Sequence, residues 1–358
     1  MKVPALRIMI MAGGTGGHVY PALAAAHELK ARGHDVVWMG APDGFEARVV
    51  PANGFPIEFI RVSGLRGKGL VKLLLAPLLI ARAMLDAWAV LRRVEPAVVL
   101  GMGGFASGPG GLVARLWGTP LVIHEQNAVA GMTNRWLARV AQRVLQAFPD
   151  TFAGATTVGN PVRREIQAVA PPQARLAPRQ GPLHVLVIGG SQGARALNER
   201  MPEALALFPA DERPEVWHQA GRTLDVAQEG YRRAGVDATI EPFIEDMGGA
   251  YAWADLVVCR AGASTIAELA TAGCGALLVP FPAAVDDHQT KNAEHLVRVG
   301  AAVLIQESAL TAQVLAVQLR ELLGDRTRLL SMAAAARAAA WPGAEAQIAD
   351  AVVRAAHG

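Results

Sequence analysis

The stretch RIMIMAGGTGGHVYP, Arg7 to Pro21, sets the fold: a short apolar strand, Ile8 to Met11, runs into a glycine-rich turn, with a helix expected from near Pro21. Four glycines, Gly13, Gly14, Gly16 and Gly17, fall within five positions. Glycine accepts positive φ and lets a bulky ligand come close to the main chain. A helix behind such a turn aims free N–H groups at the same place, which suits an anion and phosphate above all. Thr15 and His18 add a hydroxyl and a titratable imidazole. The same glycines also fit a tight βα turn that serves packing alone, so this turn by itself leaves both readings open.

The pattern returns halfway along the chain. LHVLVIGGSQGARALN, Leu183 to Asn198, is again a strand, a glycine turn (Gly189 to Gly193) and a helix from Ala194. Ser191 and the N–H groups after it form a second expected phosphate cradle. Between the two halves lies VGNPVRREIQAVAPPQARLAPRQGP, Val158 to Pro182, whose five prolines read as a linker. Arg163 sits at this junction, where it would reach a ligand held between two domains.

A length of 358 residues suits two domains. Those expected are 1–162, with a last helix of about 344–358 crossing back onto it, and 163–343. With 52% hydrophobic and 18% charged residues the chain is globular. A net charge of +3, with no long basic face interleaved with aromatics, does not suggest a nucleic-acid binder. Cys259 and Cys274 stand in no metal-ligand spacing and read as buried thiols of a reducing compartment. Arg7 breaks the first apolar run, which ends in the glycine turn, so the run reads as a strand and not as a signal peptide.

Polar groups gather where strands end. The second strand ends Trp38, Met39, Gly40, without the acid that a dinucleotide-binding unit places there for the ribose, and Asp43 and Glu46 follow in a loop or helix start. This counts against a nicotinamide or flavin cofactor. GMGGFASGPGG from Gly101 contains a G-x-G-x-x-A match (Gly101, Gly103, Ala106), too short to prove anything. LVIH leads to His124, Glu125, Gln126 and Asn127 at a carboxyl end, where ligands of open α/β sheets bind. RAGASTIAE, Arg260 to Glu268, opens a helix and puts Glu268 four residues after Ser264, on one face, where a carboxylate accepts both ribose hydroxyls or is a plain surface glutamate. DDHQTKN, Asp286 to Asn292, offers amides and a hydroxyl suited to sugar hydroxyls. There is no D-x-D, and no metal site is expected.

The segment Val62 to Val94 is apolar but is interrupted by Lys72, Pro77, Arg82 and Asp86 too often for a membrane span. It reads as one or two helices with an apolar face (Leu74, Leu75, Leu78, Leu79) flanked by Arg61, Arg66, Lys68, Lys72 and Arg82. Such a face suits an anionic bilayer surface, each basic residue contributing about 1 kcal/mol. Packing of the same leucines on the sheet is the other reading.

Two phosphate cradles, hydroxyl-binding groups and no dinucleotide acid point to a nucleotide-sugar enzyme of the GT-B kind: an α/β protein with two Rossmann-like parallel-sheet domains facing across a cleft. At this level the resemblance is specific. GGTGGHVYPALA (Gly13 to Ala24), GMGGFASGP (Gly101 to Pro109), HEQNAVAGMTN (His124 to Asn134), GNPVR (Gly159 to Arg163), GGSQGARALN (Gly189 to Asn198), RAGASTIAEL (Arg260 to Leu269) and DHQTKNA (Asp287 to Ala293) resemble, in order, the motifs of the MurG family.

The resemblance implies inverting transfer of N-acetylglucosamine from UDP-GlcNAc to the undecaprenyl-linked muramyl-pentapeptide, lipid I to lipid II, in peptidoglycan synthesis. It implies no cofactor, no nucleic acid and a peripheral place on the cytoplasmic face of the inner membrane, with ties to cell shape and division; it names no protein partner. Donor contacts would be Gly14, Thr15, Gly16, Asn127, Arg163, Ser191, Ile244, Ala263, Ser264, Thr265, Glu268 and Gln289. Ile244 would offer main chain to the uracil, Glu268 the ribose contact, and Asn127 and Gln289 the sugar contacts. His18 and Glu125 are the candidate bases, with cation binding to the acceptor diphosphate and the ordering of His124 as their respective rival roles. Arg66, Lys68, Lys72, Leu75, Leu79 and Arg82 would meet the acceptor's membrane. Phe105 stands where the family often has Tyr, and His288 where it often has an amide. A UDP-GlcNAc 2-epimerase, or a GT-B transferase with another lipid acceptor, is the alternative.

Overall fold

The computed structural model describes residues 4–62, 75–190 and 193–358. The chain divides into two compact units, Met1–Pro161 with Gly343–Gly358, and Val162–Pro342.

In the first unit the described strands are β1 (Arg7–Met11), β2 (Asp35–Gly40), β3 (Ile57–Phe59), β4 (Val98–Gly101), β5 (Leu121–Glu125), β6 (Arg143–Gln146) and β7 (Thr156–Thr157). They pair in parallel in the order β3-β2-β1-β4-β5-β6-β7. Strand β1 is central, and its alternating side chains feed two cores. Ile8 and Ile10 pack with the helix Gly16–Ala31 and the C-terminal helix Ala344–Ala356, whose Ile348, Ala349 and Val352 are fully buried. Met9 and Met11 pack on the opposite face with Ala87, Val90 and Leu91 of the helix Ala76–Val94. Burial on both faces is what a parallel sheet requires of its strands. Between β1 and β4 the strand order reverses, and the carboxyl ends there form the crevice in which such sheets bind ligands.

The second unit repeats the plan with β8 (His184–Ile188), β9 (Glu215–Gln219), β10 (Thr239–Glu241), β11 (Leu256–Cys259), β12 (Ala276–Leu278) and β13 (Ala302–Leu304), in the order β10-β9-β8-β11-β12-β13. Its reversal lies between β8 and β11.

Two sequence expectations need correction. The first helix starts at Gly16 and carries Pro21 inside it. The carbonyl of Thr15 accepts from the N–H groups of His18 and Val19 at 3.1 and 3.2 Å, so the first turn closes before the proline, which then costs one internal hydrogen bond. His18 therefore stands on the helix's first turn. The proline-rich stretch after Val162 is also no loose linker. Arg175 donates to the carbonyls of Tyr251, Ala254 and Gly273, and Arg179 to those of Ala252 and Trp253 and to Asp255 at 2.8 Å. Guanidinium groups here satisfy the last carbonyls of two helices, Met247–Trp253 and Ala263–Ala272, which those helices cannot satisfy themselves.

Candidate active site

The first glycine turn is closed from below by an acid. Glu46, in the first turn of the helix Phe45–Ala52, is 2% exposed, and its carboxylate accepts from the N–H of Gly14 at 3.0 Å and of Ala41 at 2.9 Å. A side chain on Gly13, Gly40 or Gly44 would strike that carboxylate, so three glycines wall it in. The Gly14 amide, expected to face a phosphate, is thus already bonded to a carboxylate. Nothing local in the sequence pairs position 46 with position 14; the one signal was an acid near three glycines that converge only in space. Gly14 itself turns the chain at φ +90°. Thr15 caps the helix in an extended conformation without a side-chain bond, and Gly16 opens it.

Above this turn His18 is half-buried and its ring lies against Gly103, where a Cβ would meet Nδ1 at 2.9 Å. Gly103 and Gly104 both have φ near +90°, and Gly104 presses on the backbone of Gly13. The second glycine stretch therefore packs against the first. His18 Nδ1 lies 2.7 Å from Gln126 Oε1. Gln126 Nε2 lies 2.9 Å from His124 Nδ1 and 2.9 Å from the His124 carbonyl, and His124 Nε2 lies 2.9 Å from the Gly159 carbonyl. His124 and Gln126 are buried, and burial brings the His124 imidazole down to about 4, so it is neutral at pH 7.

Glu125 does not fit the role of base. It is 1% exposed and accepts from Asn127 N (3.0 Å), Asn127 Nδ2 (3.3 Å), Gly131 N (3.1 Å) and Asn134 Nδ2 (2.9 Å). Both oxygens are taken by the loop that follows β5. Its role there is to shape that loop and seat Asn127, while Gln126, absent from the expected site, holds His124.

In the second unit Gly190 (φ +73°) and Gly193 (φ +79°) frame the turn after β8, and Ser191 lies outside the described residues. Gly193 is pressed against Ala220 and Gly221, with no room for a Cβ on either glycine. Asn198 braces this contact: its Nδ2 donates to the carbonyls of Ala220 (2.9 Å) and Thr223 (3.0 Å), and its Oδ1 accepts from His218 Nε2 at 3.0 Å. The Tyr231 hydroxyl completes the chain at 3.0 Å from His218 Nδ1. Burial lowers His218 to about 3.

Further along the same sheet, Glu268 on the helix Ala263–Ala272 meets Arg163 Nη2 at 3.3 Å and accepts from the Tyr251 hydroxyl at 3.0 Å. Burial raises its carboxyl, against the pull of Arg163 and Tyr251. One turn earlier, the Ser264 Oγ is buried and has no hydrogen-bond partner among the described residues. An orphaned hydroxyl at a helix start is a place for an oxygen-rich ligand. Gln289 Oε1 accepts from Ala261 N (3.2 Å) and Phe281 N (2.9 Å), strapping the exits of β11 and β12 together. Its amide nitrogen takes no part in that strap. Ile244 is buried, so only its main chain is available to a ligand.

The helix Ala76–Val94 buries Ala83, Ala87, Val90, Leu91 and Val94 and turns Leu78 (68% exposed), Ile80 and Leu85 outward, with Leu75 and Leu79 beside them. Leu75, Leu78 and Leu79 thus do not pack on the sheet, and Leu74 lies outside the described residues. Trp88 and Trp117 extend this face, edge to face at 6.0 Å, with Arg92 over the Trp88 ring. Trp117 follows the helix Ser107–Leu116, so only the fold joins it to the patch. Arg82 is exposed, Arg61 is tied to Asp86, and Arg66, Lys68 and Lys72 lie outside the described residues. Among the described residues no helix is long and apolar enough to cross a membrane, and no group of three His, Cys, Asp or Glu side chains is placed to hold a metal ion.

Comparison with known proteins agrees with this layout. Residues 8–146 match the family model described as the glycosyltransferase family 28 N-terminal domain, and residues 184–352 match its C-terminal domain. A protein of Marinobacter nauticus is 54% identical over 99% of both chains, and one of Nitrosococcus oceani is 55% identical over 99% of this chain and 100% of its own. Both are named UDP-N-acetylglucosamine–N-acetylmuramyl-(pentapeptide) pyrophosphoryl-undecaprenol N-acetylglucosamine transferase. The crystal structure of Acinetobacter baumannii MurG superposes with a TM-score of 0.87 at 44% identity, covering 98% of this chain and 99% of that one.

Proposed function

The chain belongs to glycosyltransferase family 28, and from that premise we infer that it is an N-acetylglucosaminyltransferase acting from UDP-GlcNAc onto the N-acetylmuramyl-(pentapeptide) pyrophosphoryl-undecaprenol, lipid I to lipid II. The observation that carries this reading is identity above one half along nearly the whole length of relatives bearing that name. The product is a precursor of peptidoglycan.

The reaction is a single inverting displacement. The acceptor hydroxyl oxygen forms a bond to the anomeric carbon, the bond from that carbon to the UDP oxygen breaks, and its electron pair leaves on the diphosphate. The hydroxyl proton passes to His18. A positioned base contributes about 10²- to 10⁴-fold to such a step. His18 is favoured over Glu125 because its ring is partly exposed, whereas the Glu125 oxygens are filled by four donors.

The second unit takes the donor. Glu268 receives the ribose hydroxyls, the Ser264 hydroxyl and the first-turn N–H groups of its helix receive diphosphate oxygens, and Arg163 adds positive charge for the leaving group. The helix start and the cation act where negative charge grows in the transition state. In this unit Ser191, Ile244, Ala263, Thr265 and Gln289 complete the donor and sugar contacts. The outward leucines with Trp88 and Trp117 rest on the anionic cytoplasmic surface of the cell membrane, which brings the site to its lipid-borne acceptor.

The test is transfer of labelled N-acetylglucosamine from UDP-GlcNAc to a short-chain lipid I analogue, with free-sugar release followed in parallel. Acceptor-dependent transfer is expected; release without an acceptor overturns the reading. For the membrane face, co-sedimentation with phosphatidylglycerol vesicles is expected to weaken in the double variant Leu78→Glu, Leu85→Glu. Unchanged binding removes that face from the surface contact.

A further inference from the structure

The chain of contacts behind His18 fixes more than its position. Donor and acceptor roles can be assigned from its far end, because each group leaves the next only one choice. The Gly159 carbonyl only accepts, so His124 Nε2 carries a hydrogen. His124 is neutral, and its Nδ1 therefore presents a lone pair. That lone pair is met by an amide donor, and the carbonyl of His124, also 2.9 Å from the same Gln126 atom, would repel an oxygen there. Two independent acceptors thus set the orientation of the Gln126 amide, nitrogen toward His124 and oxygen toward His18. An amide oxygen only accepts, so the hydrogen in the 2.7 Å contact belongs to His18 Nδ1.

We propose that Gln126 and His124 are positioning residues that hold His18 as its Nδ1–H tautomer and leave Nε2 as the nitrogen that takes the acceptor's proton. The inference rests on His18 being the base and names the atom that acts. Among the described residues no hydrogen-bond partner occupies Nε2. The ring is held from two sides: Gln126 meets Nδ1, and Gly103 lies so close that an added Cβ would stand 2.9 Å from Nδ1 and 3.0 Å from Cε1. The relay ends on a loop where Gly159 takes φ +79° and the Asn160 amide donates to the Gln126 carbonyl at 2.9 Å, so the segment that closes the chain is itself anchored to Gln126. A base whose lone pair sits on the wrong nitrogen loses its reaction, so a tautomer lock acts on turnover while leaving donor binding alone.

The primary test needs no turnover. Nitrogen NMR of histidine-labelled, full-length enzyme, at a pH where His18 is neutral, is expected to show Nδ1 protonated and Nε2 bare; the reverse pattern overturns the proposal. Gln126→Leu removes the acceptor for His18 together with the donor for His124, while Gln126→Glu removes the donor alone. The Nδ1–H form is expected to persist in Gln126→Glu and to give way in Gln126→Leu, with kcat down about 10²-fold or more in the leucine variant and its KM for UDP-GlcNAc within about twofold. Equal loss of kcat in both variants with an unchanged tautomer in both would assign Gln126 to packing and overturn the proposal. Full activity of His18→Ala would instead remove the base assignment, whatever the tautomer, and so separates failure of that reading from failure of this one.

Discussion

The two glycine turns begin as the same sequence device and are closed by opposite means. In the first unit a buried carboxylate, Glu46, takes the Gly14 amide and fills the space that Gly13, Gly40 and Gly44 leave. In the second, backbone closes on backbone at Gly193 and Gly221, and a neutral chain of Asn198, His218 and Tyr231 braces it without adding charge. A carboxylate packed beneath a turn opposes a phosphate, while a neutral brace adds no opposing charge. The lesson is that a strand, a glycine turn and a helix specify a backbone shape; what the turn binds depends on the charge packed behind it. This contrast accords with the proposed roles, proton transfer at the first turn and nucleotide binding in the second unit.

Four measurements press on that division. The largest effect is expected for His18→Ala, with kcat reduced about 10²- to 10⁴-fold and donor KM nearly unchanged. A rise in donor KM of the same size would place the nucleotide at the first turn and break the comparison.

The second concerns acid. Folded His124 and His218 hold their protons only below about 4 and about 3, against 6.5 for the free ring. As pH falls below about 6.5 the unfolded chain binds these protons first, so stability that is complete above that pH is lost on the way down. The loss ends near 4 for His124 and near 3 for His218, on the order of several kcal/mol for each. Hydrogen exchange followed from pH 7 to 4 should show both units weakening, and His124→Gln or His218→Gln should flatten the response of its own unit alone.

Third, Glu46→Ala takes the charged acceptor from two part-buried N–H donors and is expected to cost about 1–3 kcal/mol, read as a lower Cm in urea. A sharper version asks whether it makes the first turn an anion site. Inorganic phosphate should then stabilise Glu46→Ala more than the parent, and equal stabilisation would show that charge is not what distinguishes the two turns. The smallest effect is expected for Ser264→Ala. Loss of one hydroxyl contact should raise the donor KM by about three- to tenfold at constant kcat, as removal of a single neutral hydrogen bond does. A change confined to kcat would shift Ser264 from binding to chemistry.

Much of this could be read along the chain. Strands β1 and β8 announced themselves as apolar runs ending in glycine, and the polar run from His124 stood where ligands of such sheets bind. The same reading erred where a contact leaves no signal in residue type. Pro21 looked like a helix start because the Thr15 carbonyl that closes the turn carries no residue-level signal. Glu125 looked like a base because its four donors come from the loop that it itself folds. Trp117 carries no sequence signal as a partner of Trp88, since it follows a different helix from the one that holds Trp88.

The sequence by itself determined the doubly wound α/β plan, the two glycine turns and the family, because strand burial, glycine spacing and ordered motifs are local properties written in residue types. Only the tertiary structure decided which amide is already taken, which carboxylate is saturated, which leucines face outward and which nitrogen of His18 carries its hydrogen. Two of those depend on pairing across many residues: 32 separate Gly14 from Glu46, and 108 separate His18 from Gln126. A hydrogen bond is assigned by distance and by the one role left open to each atom, and neither exists until the chain has folded.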